Sequence, residues 1–530
     1  MYKVMIRDHV SPTAKEILEE TGRIQVVMDN DRVTNEPEAL SNILGGFHGL
    51  IVRSGTRVTA EVMEKADQLR VIGRAGAGVD NIDVGAATTR GIVVMNAPGG
   101  NTVTTAEHSV SMMLALARHI PQATAHMRMG KWDKKMFTGV EVAGKTLGVI
   151  GLGQIGRVVV SRAQGLEMKV IASDPYVTKE AASSLGVELV SLDELLSRCD
   201  FITLHVPRLE QTRHMIRMET IAKMKRGVRI INCARGELVH LDDLYEALVS
   251  GHVAGAALDV FPQEPPDFSL PIFKHPKAIF TPHLGASTGE AQEKVAEMIA
   301  HQVVDYLIHG VISNAINFPS IPMEVIDRLR PYLDLAERMG GLIGQIIRHP
   351  HHITITYSGD VTRFDTRVLT HAVLKGLLSS FTDVPVNYVN ASFLSKEKGI
   401  TVEETVTQQT QDYTNLIRIR LPGLEDELNE VWGTIFARKY QRIVRLGKIY
   451  MDAIPEGAML IIQNEDRPGV IGNIGTTLAN HGINIARFHL GRLEGRAICL
   501  VNIDTPAGSE VIEKIRSLPH ILMVRDIRLA

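Results

Sequence analysis

Along the first hundred residues, short apolar runs alternate with amphipathic stretches. VMIRD (4–8), GLIVRS (49–54), RVIGRAG (70–76) and GIVVMNAP (91–98) read as strands, and PTAKEILEET and AEVMEKADQ read as helices between them. Strands alternating with helices predict a parallel sheet covered on both faces. The alternation returns more cleanly over 144–260, where GKTLGVIGLG, MKVIASDP, FITLHVP, VRIINCA and VAGAALDV are predicted buried strands. This half is expected to be α/β, with two doubly wound parallel-sheet, Rossmann-like units. NTVTTAEHSVSMMLALARHI (101–120) predicts one long apolar helix whose Met112, Met113 and Leu116 face the core. STGEAQEKVAEMIAHQVVDYLIHG (287–310) predicts another, ending at Gly310.

Pro319, Pro322 and Pro331 then interrupt the pattern over 318–331, which places a boundary near 318. Residues 332–452 carry an α+β pattern, and DAIPEGA (452–458) marks a second break. The remainder reads strand, helix, strand, strand, helix, strand, the βαββαβ order of a ferredoxin-like unit. At 530 residues the chain is too long for a single core, so several domains are expected.

A net charge of −3 gives no basic field for nucleic acid or an anionic membrane. No apolar run is long enough for a bilayer span, and the N-terminus has charges from residue 3 and no apolar signal core. The three cysteines, Cys199, Cys233 and Cys499, form neither a disulfide framework nor a zinc motif. A cytoplasmic protein acting on small molecules is expected, with no resident metal.

GLGQIG (151–156) follows an apolar strand and opens a helix, the context a dinucleotide fingerprint requires. Gly151 permits the tight turn, Gly153 lets backbone approach a pyrophosphate, and Gly156 lets helix and strand pack closely. The helix N-terminus offers unpaired N–H groups to phosphate. Asp174 ends the next strand and suits adenosine ribose hydroxyls while repelling a 2′-phosphate, so NAD is expected rather than NADP. Beyond three later strands stand Arg235, Glu264 and His283. Open α/β sheets bind ligands beyond the carboxyl ends of their strands, so the three should converge. Hydride removal from a 2-hydroxy acid needs a base, a group to hold that base, and a cation on the carboxylate. His283, Glu264 and Arg235 fit these roles in turn. Asp259 is a candidate to orient the nicotinamide end.

GVDNIDV, NAPGGNTVTTAEH, GKTLGVIGLGQIG, INCARGELV, ALDVFPQEPP and TPHLGAST, in this order, resemble the D-isomer-specific 2-hydroxyacid dehydrogenase family over about residues 1–317. The resemblance implies catalytic roles for Arg235, Glu264 and His283. It implies a substrate domain of 1–100 plus 290–317, with an NAD domain at 101–289 through which the chain dimerises. The cofactor set on this basis is Gly151, Gly153, Gln154, Ile155, Gly156, Asp174, Val206, Cys233, Ala234, Arg235, Asp259, His283, Gly285 and Ala286.

Within the family the likeness is greatest to the long-form branch that acts on 3-phospho-D-glycerate. VRSGT resembles its substrate loop, giving Arg53 and Ser54. RAGAGVDN resembles its backbone nest, giving Arg74, Gly76, Gly78 and Val79. Asn101 and Lys134 are further substrate positions by the same resemblance. Residues 318–452 resemble that branch's intervening domain and 453–530 resemble an ACT domain, in which Asp466 and Asn484 correspond to serine-binding positions and Asn464 to a third. The activity implied is NAD-dependent oxidation of 3-phospho-D-glycerate to 3-phosphohydroxypyruvate, the first step of L-serine synthesis, in a homodimer or homotetramer regulated by L-serine. Hydroxypyruvate or glycerate as substrate, or an NAD-sensing partner protein without turnover, are the alternatives.

Two clusters stand outside this reading. His349, His351 and His352 have a proline among them and no evident carboxylate partner, so no metal is expected there. The basic run RKYQRIVRLGK (438–448) is expected to be a solvated strand pair.

Overall fold

The computed structural model describes residues 1–29, 37–321, 323–347, 349–410, 412–423 and 427–529. Pro322 of the expected linker lies outside them. Strands β1 (Tyr2–Ile6), β2 (Ile24–Met28), β3 (Gly49–Val52), β4 (Val71–Arg74) and β5 (Val93–Asn96) form a parallel sheet in the order β2-β1-β3-β4-β5. Successive residues of a strand point to opposite faces. Val4 and Ile6 accordingly enter one core and Met5 the other, which is why these strands are apolar throughout. The helix Gly289–Val304 packs on this sheet through Val295, Ile299 and Val303. It continues as a π-helical turn, Asp305–His309, and ends at Gly310 with φ 71°.

Strands β6 (Thr146–Ile150), β7 (Lys169–Ser173), β8 (Glu188–Leu189), β9 (Phe201–Leu204), β10 (Val228–Asn232), β11 (Val253–Leu258) and β12 (Ala278–Phe280) form the second parallel sheet, in the order β12-β11-β10-β9-β6-β7-β8. The order reverses between β6 and β9, which opens a crevice at their carboxyl ends. The doubly wound α/β expectation holds for both sheets.

The predicted helix 101–120 is broken. It runs Thr102–Ala117, His119 is left-handed with φ 53°, and a second helix runs Ile120–Arg128. Pro121 has no N–H to continue the ladder, and the Ala117 carbonyl instead accepts from the Val140 N–H at 3.0 Å. Met112, Met113 and Leu116 are buried, as expected.

Pro331 does not interrupt the chain: it lies inside the helix Met323–Ile346. A long buried stripe, including Leu329, Leu333, Ala336, Met339 and Ile343, outweighs the lost backbone bond, and Gln441 Nε2 donates to the Pro331 carbonyl at 3.1 Å. This helix and Thr366–Ser379 pack beside a mixed sheet. The sheet comprises β13 (His352–Gly359), β14 (Thr401–Thr407), β15 (Asn415–Arg420), β16 (Glu430–Phe436), β17 (Tyr440–Leu446) and β18 (Ile449–Ala453), ordered β14-β13-β15-β16-β17-β18. The basic run at 438–448 is the single strand β17 and its flanking turns, not a strand pair, with Ile443 and Leu446 buried. Finally β19 (Gly457–Glu465), β20 (Ile485–Leu493), β21 (Arg496–Ile503) and β22 (Ile521–Leu529) make an antiparallel sheet ordered β20-β21-β19-β22, with helices Val470–Asn480 and Ser509–Arg516. This is the expected βαββαβ unit.

Candidate active site

At the end of β6, Gly151 takes φ 94°, and a Cβ there would stand 2.5 Å from the His205 carbonyl oxygen. A Cβ on Gly156 would overlap the Gly151 carbonyl oxygen, so only glycine lets the helix Gln154–Gly165 sit this close to the turn. Around Gly153 the space is open. Asp174 follows β7, and its carboxylate accepts from the Leu152 and Tyr176 N–H groups, each at 2.8 Å. It is thereby fixed beside the glycine turn. Open backbone at a helix N-terminus with a fixed carboxylate one strand away fits a dinucleotide's pyrophosphate and adenosine ribose.

His283 follows β12 in a left-handed conformation, φ 53°, of the kind that a non-glycine residue holds only when its surroundings impose it. Its N–H donates to the Asp259 carbonyl at 2.8 Å. The Asp259 side chain is 0% exposed and accepts from Thr281 Oγ1, from the Leu284 N–H at 2.7 Å and from the Gly285 N–H at 2.8 Å. His108 Nε2 approaches the same carboxylate at 3.2 Å. Burial opposes ionisation of Asp259, yet these donors hold its carboxyl below the usual range. Expected to orient the nicotinamide end, Asp259 is here engaged in anchoring the turn that carries His283 and Gly285.

His283 Nδ1 lies 2.7 Å from Glu264 Oε2, and Glu264 Oε1 accepts from the Phe261 N–H at 3.1 Å. Burial pushes the Glu264 carboxyl up, but the His283 hydrogen bond and the Phe261 N–H prevail and hold it below its ordinary value. A carboxylate can only accept, so Nδ1 carries a hydrogen, and in the neutral ring it is Nε2 that holds the lone pair.

His283 and Glu264 line a cavity of about 770 Å3 together with Ser54, Arg74 and Arg235. Arg235 Nε donates to Asp80 Oδ2 at 3.0 Å and Nη1 to the Ala234 carbonyl at 2.8 Å. A Cβ on Gly78 would overlap Arg235 Nη2, and one on Gly76 would overlap Arg74 Nη1, so these two glycines make room for two guanidinium groups. Arg74 Nε is buried and has no hydrogen-bond partner among the described residues. Burial, and then the neighbouring Arg235, pull its pKa down to about 10, which leaves it cationic near neutral pH.

Other expected positions stand elsewhere. Arg53, Val79, Asn101 and Lys134 are not in the cavity lining. The Arg53 N–H is bonded to Asp8 at 2.8 Å, Asn101 sits at the N-cap of Thr102–Ala117, and Lys134 stacks over the Trp132 ring at 5.8 Å. Arg57, Asp80 and Arg208, which do line the cavity, were missed by sequence reasoning. Arg208 follows β9 and could have been found by the rule that selected Arg235. Cys233 is buried, with its thiol pushed up to about 12 by burial. His108, Cys233 and Asp259 form the one cluster of possible metal-ligand atoms among the described residues, all within 4.8 Å of one another, and the Asp259 oxygens in it already accept hydrogen bonds.

In the C-terminal unit Asp466 pairs with Arg492 at 3.5 Å, Asn484 Nδ2 donates to Asp504 Oδ2 at 2.7 Å, and Asn464 is buried. His352 does have a carboxylate partner, Glu403 at 3.4 Å, supplied by the neighbouring strand β14.

Three family profiles match: "D-isomer specific 2-hydroxyacid dehydrogenase, NAD binding domain" at residues 110–285, "D-3-phosphoglycerate dehydrogenase intervening domain" at 328–447, and "ACT domain" at 458–520. The D-3-phosphoglycerate dehydrogenase of Methanocaldococcus jannaschii is 44% identical, covering 100% of both chains. That of Bacillus subtilis is 38% identical over the same 100% of each. Among solved structures, the TT0316 protein of Thermus thermophilus aligns with TM-score 0.54 and 33% identity, over 59% of this chain and 99% of its own. The D-lactate dehydrogenase of Escherichia coli aligns with TM-score 0.53 and 27% identity, over 59% and 99%.

Proposed function

The chain belongs to the D-3-phosphoglycerate dehydrogenase family, and from that premise we propose that its cavity oxidises 3-phospho-D-glycerate to 3-phosphohydroxypyruvate, the first step of L-serine synthesis. The observation that carries the reading is the His283–Glu264 pair, 2.7 Å apart, lining one cavity with Arg235 and with Arg74, whose buried Nε has no partner among the described residues. His283 Nε2 takes the proton of the 2-hydroxyl group. Glu264 stabilises the imidazolium that results. Arg235 holds the substrate carboxylate with its Nη edge, while Asp80 fixes the Nε side of the fork. Arg74, with Arg57, Arg208 and Ser54 in the same lining, receives the phosphate. Bound NAD⁺ supplies the hydride acceptor. Gly151, Gly153 and Gly156 and the first helical turn, Gln154–Ile155, take its pyrophosphate, and Asp174 takes the ribose. Val206, Cys233, Ala234, Gly285 and Ala286 complete the pocket.

Comparing 3-phospho-D-glycerate with D-glycerate in the wild type and Arg74→Gln tests the substrate. Loss of a charged hydrogen bond should raise KM for the phosphorylated substrate about tenfold or more and leave that for glycerate nearly unchanged. Equal losses for both would remove the phosphate assignment.

The finer assignments are supported as follows. Ile120, Met127, Met129, Trp132 and Met136 are exposed along one arm of the NAD-binding half, with Trp132 at 75% and Met136 at 65%. Such a patch suits a homo-oligomeric interface. Lys134 lies on the same arm, so the substrate contact expected of it would be made in a neighbouring protomer. Three free, buried cysteines suit a reducing, cytoplasmic compartment. No helix among the described residues is long and apolar enough to cross a membrane. The division into 1–100 plus 290–317, 101–289, 318–452 and 453–530 is the domain plan we adopt. L-Serine binding at Asp466 and Asn484 is the regulatory reading; an activity unchanged by L-serine would remove it.

A further inference from the structure

Where the catalytic half passes the chain to the third sheet, a cavity of about 530 Å3 opens, lined by none of Arg235, Glu264 and His283. Phe318 comes from the connecting segment, Arg367, Thr370 and His371 from the helix Thr366–Ser379, and Ser392 and Glu404 from the elements beyond. Each polar group here has unused hydrogen-bonding capacity. His371 Nδ1 lies 2.6 Å from the Tyr388 carbonyl oxygen, which can only accept, so Nδ1 carries the hydrogen and Nε2 of the neutral ring keeps its lone pair. Burial holds the ring below its usual pKa, against the Tyr388 carbonyl, and so keeps it neutral. The ring edge packs on Phe318 with centroids 5.1 Å apart.

Glu404 takes the Thr366 hydroxyl on Oε1 and the Thr370 hydroxyl, at 2.7 Å, on Oε2. A carboxylate has about four acceptor positions, so both oxygens can take another donor. Arg367 pairs with Asp365 through Nε and Nη2, and Nη1 has no partner among the described residues. Arg367, His371 and Glu404 line this one cavity.

We propose that this cavity binds a free α-amino acid, its ammonium received by Glu404 and His371 Nε2 and its carboxylate by Arg367 Nη1. A simple anion would face Glu404, and a simple amine would leave the Arg367 N–H unanswered. A zwitterion meets both. The Ser392 hydroxyl stands in the same lining to meet a polar side chain.

The location gives occupancy a mechanical consequence. Asn317, next to Phe318, accepts from the Val94 N–H at 2.9 Å and donates to Thr88 Oγ1 at 3.0 Å and the Ile92 carbonyl at 2.8 Å. Asn387, close in sequence to Tyr388, donates to the Gly91 carbonyl at 2.8 Å. The wall at Asn317 is therefore tied directly to the stretch 88–94 of the first unit, and His371 is tied to it through Tyr388 and its neighbour Asn387, so a ligand between them bears on the joint of the two halves.

The test is made on the full chain carrying Asp466→Ala and Asn484→Ala, so that the C-terminal assignment contributes nothing. The twenty common L-amino acids are screened by thermal shift, and the best is measured by calorimetry. The proposal expects one site per chain, weakened about tenfold or more by Glu404→Gln and also by Arg367→Gln, an exposed position whose change is compatible with folding. The matching amine without a carboxylate and the matching acid without an amine should each bind about tenfold more weakly or worse. No binding by any of the twenty, or binding that neither substitution weakens, overturns it.

Discussion

His283 is held in its left-handed turn from two sides. Its backbone is bonded to Asp259 at 2.8 Å and its ring to Glu264 at 2.7 Å. Asp259 fixes the turn by taking the Leu284 and Gly285 N–H groups. Asp259→Asn turns one acceptor oxygen into a donor facing donors. It should cost about 2–3 kcal/mol near neutral pH, as for a buried charged hydrogen bond left unmade. The sign of its pH dependence follows from the depressed carboxyl. As pH falls the unfolded chain takes the proton first, so this stabilisation is present above about pH 4 and is lost as pH drops through the folded value. The melting-temperature gap between wild type and Asp259→Asn should narrow from pH 6 towards about pH 3, as that linkage requires. A gap that is constant or widens would contradict the assignment. At this scale Arg235, Glu264 and His283 were legible because each follows a strand of the second sheet. Asp80 was not, because its ion pair joins residues 155 positions apart.

Among the elements, the strand–turn–helix around GLGQIG was plain in the sequence because every level of its chemistry agrees: buried strand, tight turn, close packing and helix start. Gly156→Ala should collide with the Gly151 carbonyl oxygen and cost about 1–3 kcal/mol as overpacking does. NAD⁺ affinity, measured by fluorescence titration, should fall with it, whereas Gly153→Ala, with open space around it, should leave the melting temperature nearly unchanged. Equal melting temperatures for the two variants would refute the packing argument. Proline was the less legible signal. Pro121 ends a helix because the Ala117 carbonyl has another donor, Val140, whereas Pro331 is absorbed because its helix is packed along its length. Local preference was the same in both places, and tertiary contacts decided.

For the whole molecule, both parallel sheets and the βαββαβ unit could be read from periodicity, but not how the C-terminal unit docks. Leu460 and Ile462 of β19 face their own helices, while Met459 and Ile461 join the core that contains the helix Met323–Ile346. Gln345 and Arg528 exchange a side-chain-to-backbone pair at 2.9 Å across the same junction. The unbroken apolar run AMLII was a sign that both faces are covered, though not by what. The exposed arm at 120–136 makes the oligomer a testable matter. Trp132→Glu with Met129→Glu should lower the mass found by light scattering to that of a smaller assembly, and an unchanged mass would remove the arm from the interface.

The central claim is that His283 removes the proton of the 2-hydroxyl group as hydride leaves the carbon that bears it. The most direct measurement follows NADH formation from 3-phospho-D-glycerate by wild type and His283→Asn, with NAD⁺ affinity measured separately. The account predicts turnover by the wild type, a kcat lower by about a hundredfold to ten-thousandfold in the variant, and NAD⁺ binding little changed. Turnover by His283→Asn at the wild-type rate would contradict it.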